Sequence, residues 1–271
     1  MDKFGYIRGR RGAPGPPGKD ALELHTWAPT GVLEMIRKDN ECTFYFDGET
    51  DGIIDVGEGK MALKDRFGNN NAVCLRNFQK PVKIGKYYGI PLKDTLYKIA
   101  DCDTATGASS ICVVSLSFRV MSKMSSQDEY IFTNETGSRG VKISNQKLNI
   151  LGTDPMDLEY EYRGWNTLVI QWSCIEEDQD GKCFFILNGR RGEFIPHTEI
   201  AAARELYLGG RPGGKQFAHV LISSFENYFR VIGEPGEKHL PYLMPEEMLQ
   251  VIQDGMQSRI FEKSDLCNCD L

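Results

Sequence analysis

Short runs of alternating apolar and polar residues recur along most of the chain, rich in β-branched and aromatic residues and separated by Gly, Asp and Asn. This pattern is typical of strands that bury one face, and it predicts an all-β sandwich or jelly roll. The clearest predicted strands are Cys42 to Phe46, Ala72 to Asn77, Ile111 to Met121, Tyr130 to Asn134, Thr167 to Cys174, Lys182 to Leu187, Glu205 to Leu208 and Gln216 to Phe225.

The run from Ile111 to Met121 shows the alternation most plainly. One face carries Val114, Leu116, Phe118 and Val120, and the other carries Ser115, Ser117 and Arg119. Because successive side chains of a strand point to opposite faces, this strand is expected to bury only the first set.

A hairpin is predicted after residue 166. One apolar face is formed by Leu168, Ile170, Trp172 and Cys174. An acidic loop from Ile175 to Gly181 follows, and the strand pattern resumes at Cys183. Cys174 and Cys183 flank this loop, so they are candidates for a disulfide in an oxidising compartment. The other cysteines in or beside apolar runs are expected to be buried thiols.

One helix is predicted late in the chain. Pro245 suits a first-turn position, and Glu246 and Glu247 suit the positive end of a helix dipole. An apolar stripe at helical spacing is formed by Met248, Leu249, Ile252 and Met256. We expect this stripe to pack against the sandwich.

Glycine occupies every third position in GRRGAPGPPGKD, at Gly9, Gly12, Gly15 and Gly18. This is the period of the collagen triple helix, in which only glycine fits at the axis, so it predicts a homotrimer. Four triplets span roughly 35 Å and are too short to hold three chains together alone. A flexible Pro/Gly linker is the alternative interpretation.

The 271 residues are 41% apolar, carry a net charge of −6 and suit one large domain. This balance disfavours a nucleic-acid surface, which depends on clustered Lys and Arg. The chain contains no run of about 18 apolar residues, so membrane insertion is not expected. The first residues lack the apolar core of a signal peptide. Three possibilities stay open for the location of the protein. It resides in the cytosol, it has lost a leader, or it assembles in the cytosol into a virion or other particle that becomes extracellular.

Several short motifs occur in the order of a known fold family. In chain order they are CTFYFDGETDGIIDV, ICVVSLSFRV, GVKISNQKLNI, WNTLVIQWS, FFILNGRRGEF, LYLGG, HVLISSFENYF and PEEMLQVIQDGM. This order resembles the concanavalin A-like or laminin-G-like jelly roll, from Glu41 to Met256. Four parts follow: a tether with collagen-like triplets (1–21), a connector (22–40), the jelly roll with its closing helix (41–258) and a tail (259–271).

The resemblance implies a domain that binds carbohydrate or protein on a sheet face or loop rim, although some members hydrolyse glycans. A collagen-like run before such a head also resembles the trimeric adhesive heads of extracellular and viral-fibre proteins. The leader is similar to that of uncharacterised proteins carried by virus-derived mobile elements. Aromatic side chains near loops are the candidate sugar-binding groups, namely Tyr87, Tyr88, Tyr160, Tyr162 and Trp165.

Asp157, Glu159 and Glu161 stand at every second residue, so a strand would place them on one face. Retaining glucanases of the jelly-roll superfamily use such carboxyls, about 5 Å apart, as nucleophile and acid/base. The order here is Asp, Glu, Glu where those enzymes have Glu, Asp, Glu, and the segment precedes the hairpin strand. A solvated acidic edge is therefore the favoured interpretation, and glycan hydrolysis is the alternative.

Acidic loop residues are candidate calcium ligands, because calcium takes six to eight oxygen ligands in flexible geometry. They are Asp47, Asp51, Asp55, Asp178 and Asp180. No other cofactor is expected. Together these features predict a non-enzymatic trimeric attachment or recognition protein whose tether joins it to a capsid or matrix. A purely structural virion or matrix protein is a further alternative.

Overall fold

The computed structural model describes residues 37, 42–48, 52–67, 70–84, 87–100, 102, 110–122, 128–174, 183–195, 204–214, 216–231 and 249–257. Within them lie sixteen strands, one helix of residues 249–257, here α1, and the single helical residue Arg37. The strands are β1 (Cys42–Phe46), β2 (Ile53–Asp55), β3 (Met61–Leu63), β4 (Ala72–Arg76), β5 (Val82–Ile84), β6 (Tyr87–Pro91), β7 (Leu96–Ile99), β8 (Ser110–Val120), β9 (Glu129–Asn134), β10 (Gly140–Ser144), β11 (Lys147–Ile150), β12 (Trp165–Cys174), β13 (Cys183–Leu187), β14 (Arg190–Phe194), β15 (Leu206–Leu208) and β16 (Val220–Val231).

The strands form two antiparallel sheets of eight strands each. Sheet A has the order β14-β13-β12-β8-β16-β6-β5, and β1 joins it by pairing with β16. Sheet B has the order β11-β10-β9-β15-β7-β4-β3-β2. The all-β sandwich predicted from the sequence is thus confirmed. No helix in the described part of the chain is long and apolar enough to cross a membrane.

The core lies between the sheets and follows the alternation of the sequence. On β8 the side chains of Val114, Leu116, Phe118 and Val120 are fully buried in it. On β12 the inward set is Leu168, Ile170 and Trp172, which confirms the predicted face for these three. Phe132 of sheet B packs edge-on against Trp172, with ring centroids 6.3 Å apart, and so joins the two layers.

Helix α1 covers part of the outer face of sheet A, the face that points away from the core. Leu249, Ile252 and Met256 are buried in a second apolar cluster with side chains of β8, β12 and β13. The predicted apolar stripe is confirmed at these positions, and residues 245–248 lie outside the described part. Gln253 donates a hydrogen bond to the Thr167 hydroxyl and so fixes the helix over β12.

Two ends of the sandwich matter for function. At the end that we call the rim end, β12 and β16 begin and β8 ends, because Trp165 pairs with Arg119 and Val220 pairs with Val120. At the opposite end, the tether end, β1 begins with Cys42 paired to Tyr228. Tyr228 is seven positions further along β16 than Leu221 at the rim end, a distance of roughly 20 Å.

The predicted strands correspond to β1, β4, β8, β9, β12, β13, β15 and β16, with small shifts at the ends. The largest error is at β16, which begins at Val220 and continues to Val231. The described residues before it, 209–214 and 216–219, form a loop that pairs with β9 instead. The hairpin predicted after residue 166 is confirmed by the antiparallel pairing of β12 with β13. β10 with β11 and β13 with β14 form two further hairpins. Their turn residues Asn145, Gln146, Asn188 and Gly189 all have positive φ.

Candidate functional site

A tight turn at the rim end connects the edge of sheet B to the first residue of β12. Upstream of it, Leu158 and Leu148 exchange backbone hydrogen bonds of 2.9 and 3.0 Å, so the segment runs beside β11. The chain then reverses through Glu161, Tyr162, Arg163 and Gly164, which we call the rim turn. Arg163 has a φ of 61° in this turn.

The buried side chain of Asn166 holds the rim turn in place. Its Oδ1 accepts a hydrogen bond of 2.8 Å from the Glu161 amide. Its Nδ2 donates to the carbonyl oxygens of Glu161 at 2.9 Å and Gly164 at 3.3 Å. Asn188 Nδ2 donates to the same Oδ1 at 2.9 Å. Because Asn166 is fully buried, these bonds fix the turn before any ligand arrives.

Three of the five candidate aromatic residues meet at this turn. Tyr162 is 39% exposed, and the guanidinium carbon of Arg163 lies 5.5 Å from its ring centroid. Tyr160 is partly buried; burial raises the pKa of its phenol, and the nearby Tyr162 and Glu129 raise it further. Trp165 is partly buried and begins β12. The turn thus presents aromatic surface and a cation to solvent.

The other two candidates lie elsewhere in sheet A. Tyr87 and Tyr88 begin β6, which pairs with β5 on one side and β16 on the other. The Tyr88 amide donates to the Gly48 carbonyl at 2.7 Å, and the side chain of Tyr87 lies outside the described part. Pro91 at the end of β6 is three residues, about 10 Å, nearer to the rim end than Tyr88. These tyrosines are therefore not part of the rim turn.

The candidate carboxylates Asp157, Glu159 and Glu161 lie on the exposed segment that leads to the rim turn. The segment forms a single bridge at Leu158 instead of a regular strand. Lys147 Nζ forms an ion pair with Glu159 Oε1. Glycan hydrolysis by these groups stays a prediction. The exposure of the three carboxylates favours the other interpretation, in which they form a solvated acidic edge.

Of the calcium candidates, Asp47 and Asp55 are described. Asp47 is buried, and Arg66 Nη1 lies 2.5 Å from both of its carboxylate oxygens. Asp55 is exposed and accepts a hydrogen bond from the Gly57 amide. Among the described residues no three His, Cys, Asp or Glu side chains are grouped as a metal site. Calcium binding stays an expectation. Asp47 would be a poor calcium ligand, because its carboxylate is already paired with the Arg66 guanidinium.

Several other predictions concern residues outside the described part. They are the glycines Gly9, Gly12, Gly15 and Gly18, the acidic residues Asp51, Asp178 and Asp180, and the side chain of Cys174. Cys183 is buried in the core. The collagen-like trimer and the disulfide therefore stay predictions.

Sequence reasoning did not identify Arg119, Arg163 or Asn166 as site residues. Arg119 was visible only as a polar position on the outer face of β8, and nothing in the sequence marks Asn166 as the residue that shapes the turn. A contact between Ser122 Oγ and His219 Nδ1, at 2.7 Å, was also missed because 97 positions separate the two. Burial, with Lys93, lowers the pKa of His219.

Comparisons with known proteins bear on the fold. No protein-family model and no curated protein matches the sequence. Among solved structures, the chain is similar to the binding domain of botulinum neurotoxin DC in complex with rat synaptotagmin II, with 11% identity, 81% of this chain and 52% of that chain covered, and a TM-score of 0.50. It is also similar to a mutant of Trypanosoma rangeli sialidase displaying trans-sialidase activity, with 9% identity, coverage of 93% and 38%, and a TM-score of 0.53.

A third similar structure is Domain 4 of AbnA, a GH43 extracellular arabinanase from Geobacillus stearothermophilus, in complex with arabinotriose. It has 14% identity and a TM-score of 0.47, and the match covers 71% of this chain and 94% of that domain. The chain spans about half the length of the neurotoxin binding domains that it matches. At this identity the likenesses show the fold alone. The chain has a β-sandwich fold, like the neurotoxin DC binding domain and the sialidase mutant that it matches with TM-scores of 0.50 and 0.53.

Proposed function

We propose that this protein is a non-enzymatic recognition head that binds a glycan at the rim turn. The observation that carries the proposal is Tyr162, an exposed aromatic ring on a turn that Asn166 holds rigid. Tyrosine offers an apolar ring face and a polar tip, and a rigid aromatic group loses little conformational entropy when it binds. A protein ligand is the other occupant that this surface suits.

The position of Arg37 supports the display of this site. Arg37 precedes β1 and pairs with Glu226, two residues before Tyr228, which faces the first residue of β1. Glu226 is five residues, roughly 16 Å, from Leu221 at the rim end of β16. A chain that is held at its tether end therefore points the rim turn away from the surface to which it is attached, such as a capsid or matrix.

Display in three copies is the last part of the proposal. The glycine triplets predict a trimer, and three weak sites that are linked bind a multivalent ligand at a higher effective concentration. Analytical sedimentation of the intact chain at micromolar concentration is expected to give three times the mass of one chain. A chain without residues 1–21 separates the contributions: a trimer there assigns the association to the head. A monomer from the intact chain contradicts the trimer. Presence in purified particles without any glycan binding favours the structural alternative.

Replacing Tyr162 by Ala is expected to weaken glycan binding by tenfold or more, since loss of a central aromatic contact costs about 1.4 kcal/mol or more. The measurement is binding of the intact chain to an array of immobilised glycans, followed by titration of the strongest hit. Leu75→Ala is the matched control, because Leu75 is also apolar and is 52% exposed. It lies on β4, five strands from β11 and so about 24 Å from that edge. Unchanged binding by Tyr162→Ala contradicts the site.

A further inference from the structure

We propose that the saccharide bound at the rim turn carries a carboxylate, and that Arg119 and Arg163 bind this group. The inference rests on the proposed glycan-binding function and adds the chemical class of the ligand. It depends on where the two guanidinium groups lie and on their lack of acidic partners.

Arg119 is placed beside the rim turn by the register of sheet A. It lies on the outer face of β8, directly opposite Trp165 on β12 and Leu221 on β16. Residues directly opposite each other in antiparallel strands have Cβ atoms about 4.5–5.5 Å apart. Trp165 is also the first residue after the rim turn, so the register places Arg119 beside the residue at which the turn ends.

Neither Arg119 nor Arg163 has a carboxylate partner within the described part of the chain, although Arg119 is partly buried. Three other arginines of the described part are paired with carboxylates: Arg37 with Glu226, Arg66 with Asp47 and Arg191 with Glu193. A partly buried guanidinium with no acidic partner gains the most from a carboxylate that arrives with a ligand. The ligand therefore supplies the missing negative charge.

The ring contact and the charge are close enough to act on one sugar residue. Arg163 is next to Tyr162 in the chain and lies over its ring, so a saccharide ring on Tyr162 brings its substituents to this guanidinium. A guanidinium binds a carboxylate through two parallel N–H donors, which a neutral hydroxyl cannot match. A sugar acid satisfies both the aromatic ring and the guanidinium groups.

The acidic residue of the rim turn, Glu161, provides a second test of the charge of the ligand. Glu161 is exposed, whereas Glu159 is already paired with Lys147. If the ligand is an anion, removal of the Glu161 charge strengthens binding, because a like charge is taken away. If the ligand is a cation, the same change weakens binding. Glu161→Gln and Arg119→Gln should therefore shift affinity in opposite directions.

The experiment uses the intact chain and the acidic glycan that binds most tightly on the array, together with the same glycan converted to its carboxamide. Arg119→Gln and Arg163→Gln are each expected to weaken binding of the acid tenfold or more and to leave binding of the amide unchanged. Glu161→Gln is expected to tighten binding of the acid. Lys60→Gln is the control for the loss of one positive charge, because Lys60 is 58% exposed on the β2–β3 turn, far from the rim turn.

The outcomes separate the inference from the function on which it rests. Equal affinity for acid and amide, or an Arg119→Gln variant that binds the acid like the unmodified chain, overturns the carboxylate proposal. Binding of neutral glycans that is lost in Tyr162→Ala supports the glycan-binding function and overturns only the charge inference. Binding of no glycan, including the case in which only acidic peptides bind, overturns both.

Discussion

Glu226→Gln is expected to lower the free energy of unfolding by about 3–5 kcal/mol, the usual cost of breaking a buried ion pair from one side. Arg37 Nη2 donates to Glu226 Oε1 at 2.7 Å, and both side chains are only 3% exposed. The Tyr228 hydroxyl donates to Glu226 Oε2, and the Arg37 guanidinium lies 3.6 Å from the Tyr45 ring centroid. The substitution leaves a cation buried without its counter-charge.

The direction of the Arg37 pKa supports this expectation. Burial alone lowers the pKa of Arg37, but the charge and hydrogen bonds of Glu226 more than offset it, so the net shift is upward. That upward shift depends on Glu226 and is lost with it, but an arginine side chain stays protonated in proteins, so Arg37 cannot relieve the lost partner by releasing its proton. Glu226→Gln therefore destabilises the folded state, in which the charged Arg37 side chain is buried.

Urea denaturation at neutral pH measures the effect. Glu193→Gln is the matched control, because Glu193 pairs with Arg191 on the surface, where the side chains are 54% and 46% exposed. Such a pair contributes about 0–1 kcal/mol. A double substitution, Arg37→Met with Glu226→Leu, is expected to recover much of the loss, since an apolar pair avoids the desolvation of two charges. Equal effects of Glu226→Gln and Glu193→Gln contradict a buried pair.

Asn166→Ala is expected to destabilise the protein by about 3 kcal/mol and to abolish binding at the rim turn. The substitution removes four hydrogen bonds to the Asn166 side chain and leaves the Glu161 amide and the Asn188 side chain without a partner there. Each buried polar group left unsatisfied costs about 1–3 kcal/mol. The turn then loses the conformation that presents Tyr162.

Two measurements separate the effects on stability and on binding. Denaturation gives the stability loss, and ligand titration at a temperature at which the variant is fully folded gives the binding loss. Asn149→Ala is the control, because Asn149 is also buried but its amide makes one described hydrogen bond, to the Lys147 carbonyl at 3.3 Å. That control is expected to cost about 1 kcal/mol and to bind normally. If Asn166→Ala keeps full affinity while folded, the turn does not need this side chain for recognition.

Long strands with clear alternation were predictable from the sequence, because burial of one face leaves a period of two in the residues. β8 and β12 have eleven and ten residues, so the pattern repeats often enough to be seen. β2, β3 and β5 have three residues each and show no period. They form because neighbouring strands supply their hydrogen bonds, a tertiary effect that local sequence does not carry.

The candidate site was predictable only in part for the same reason. The aromatic residues Tyr160, Tyr162 and Trp165 are near neighbours in the chain, so their grouping was visible in the sequence. Arg119 joins them only through the pairing of β8 with β12, across 46 positions of the sequence. Tyr87 and Tyr88, chosen by the same aromatic criterion, lie on β6 because sheet order, and not composition, places them there.

The sequence by itself determined the all-β class, the inward face of β8 and β12, the hairpin of β12 with β13 and the apolar stripe of α1. These depend on side-chain period and on backbone φ, which neighbouring residues set. Only the tertiary structure decided that Arg37 is buried against Glu226, 189 positions away, and that the rim turn lies at the end of the sandwich opposite the start of β1. Such contacts depend on the order of strands in a sheet, which burial and backbone hydrogen bonding select for the chain as a whole.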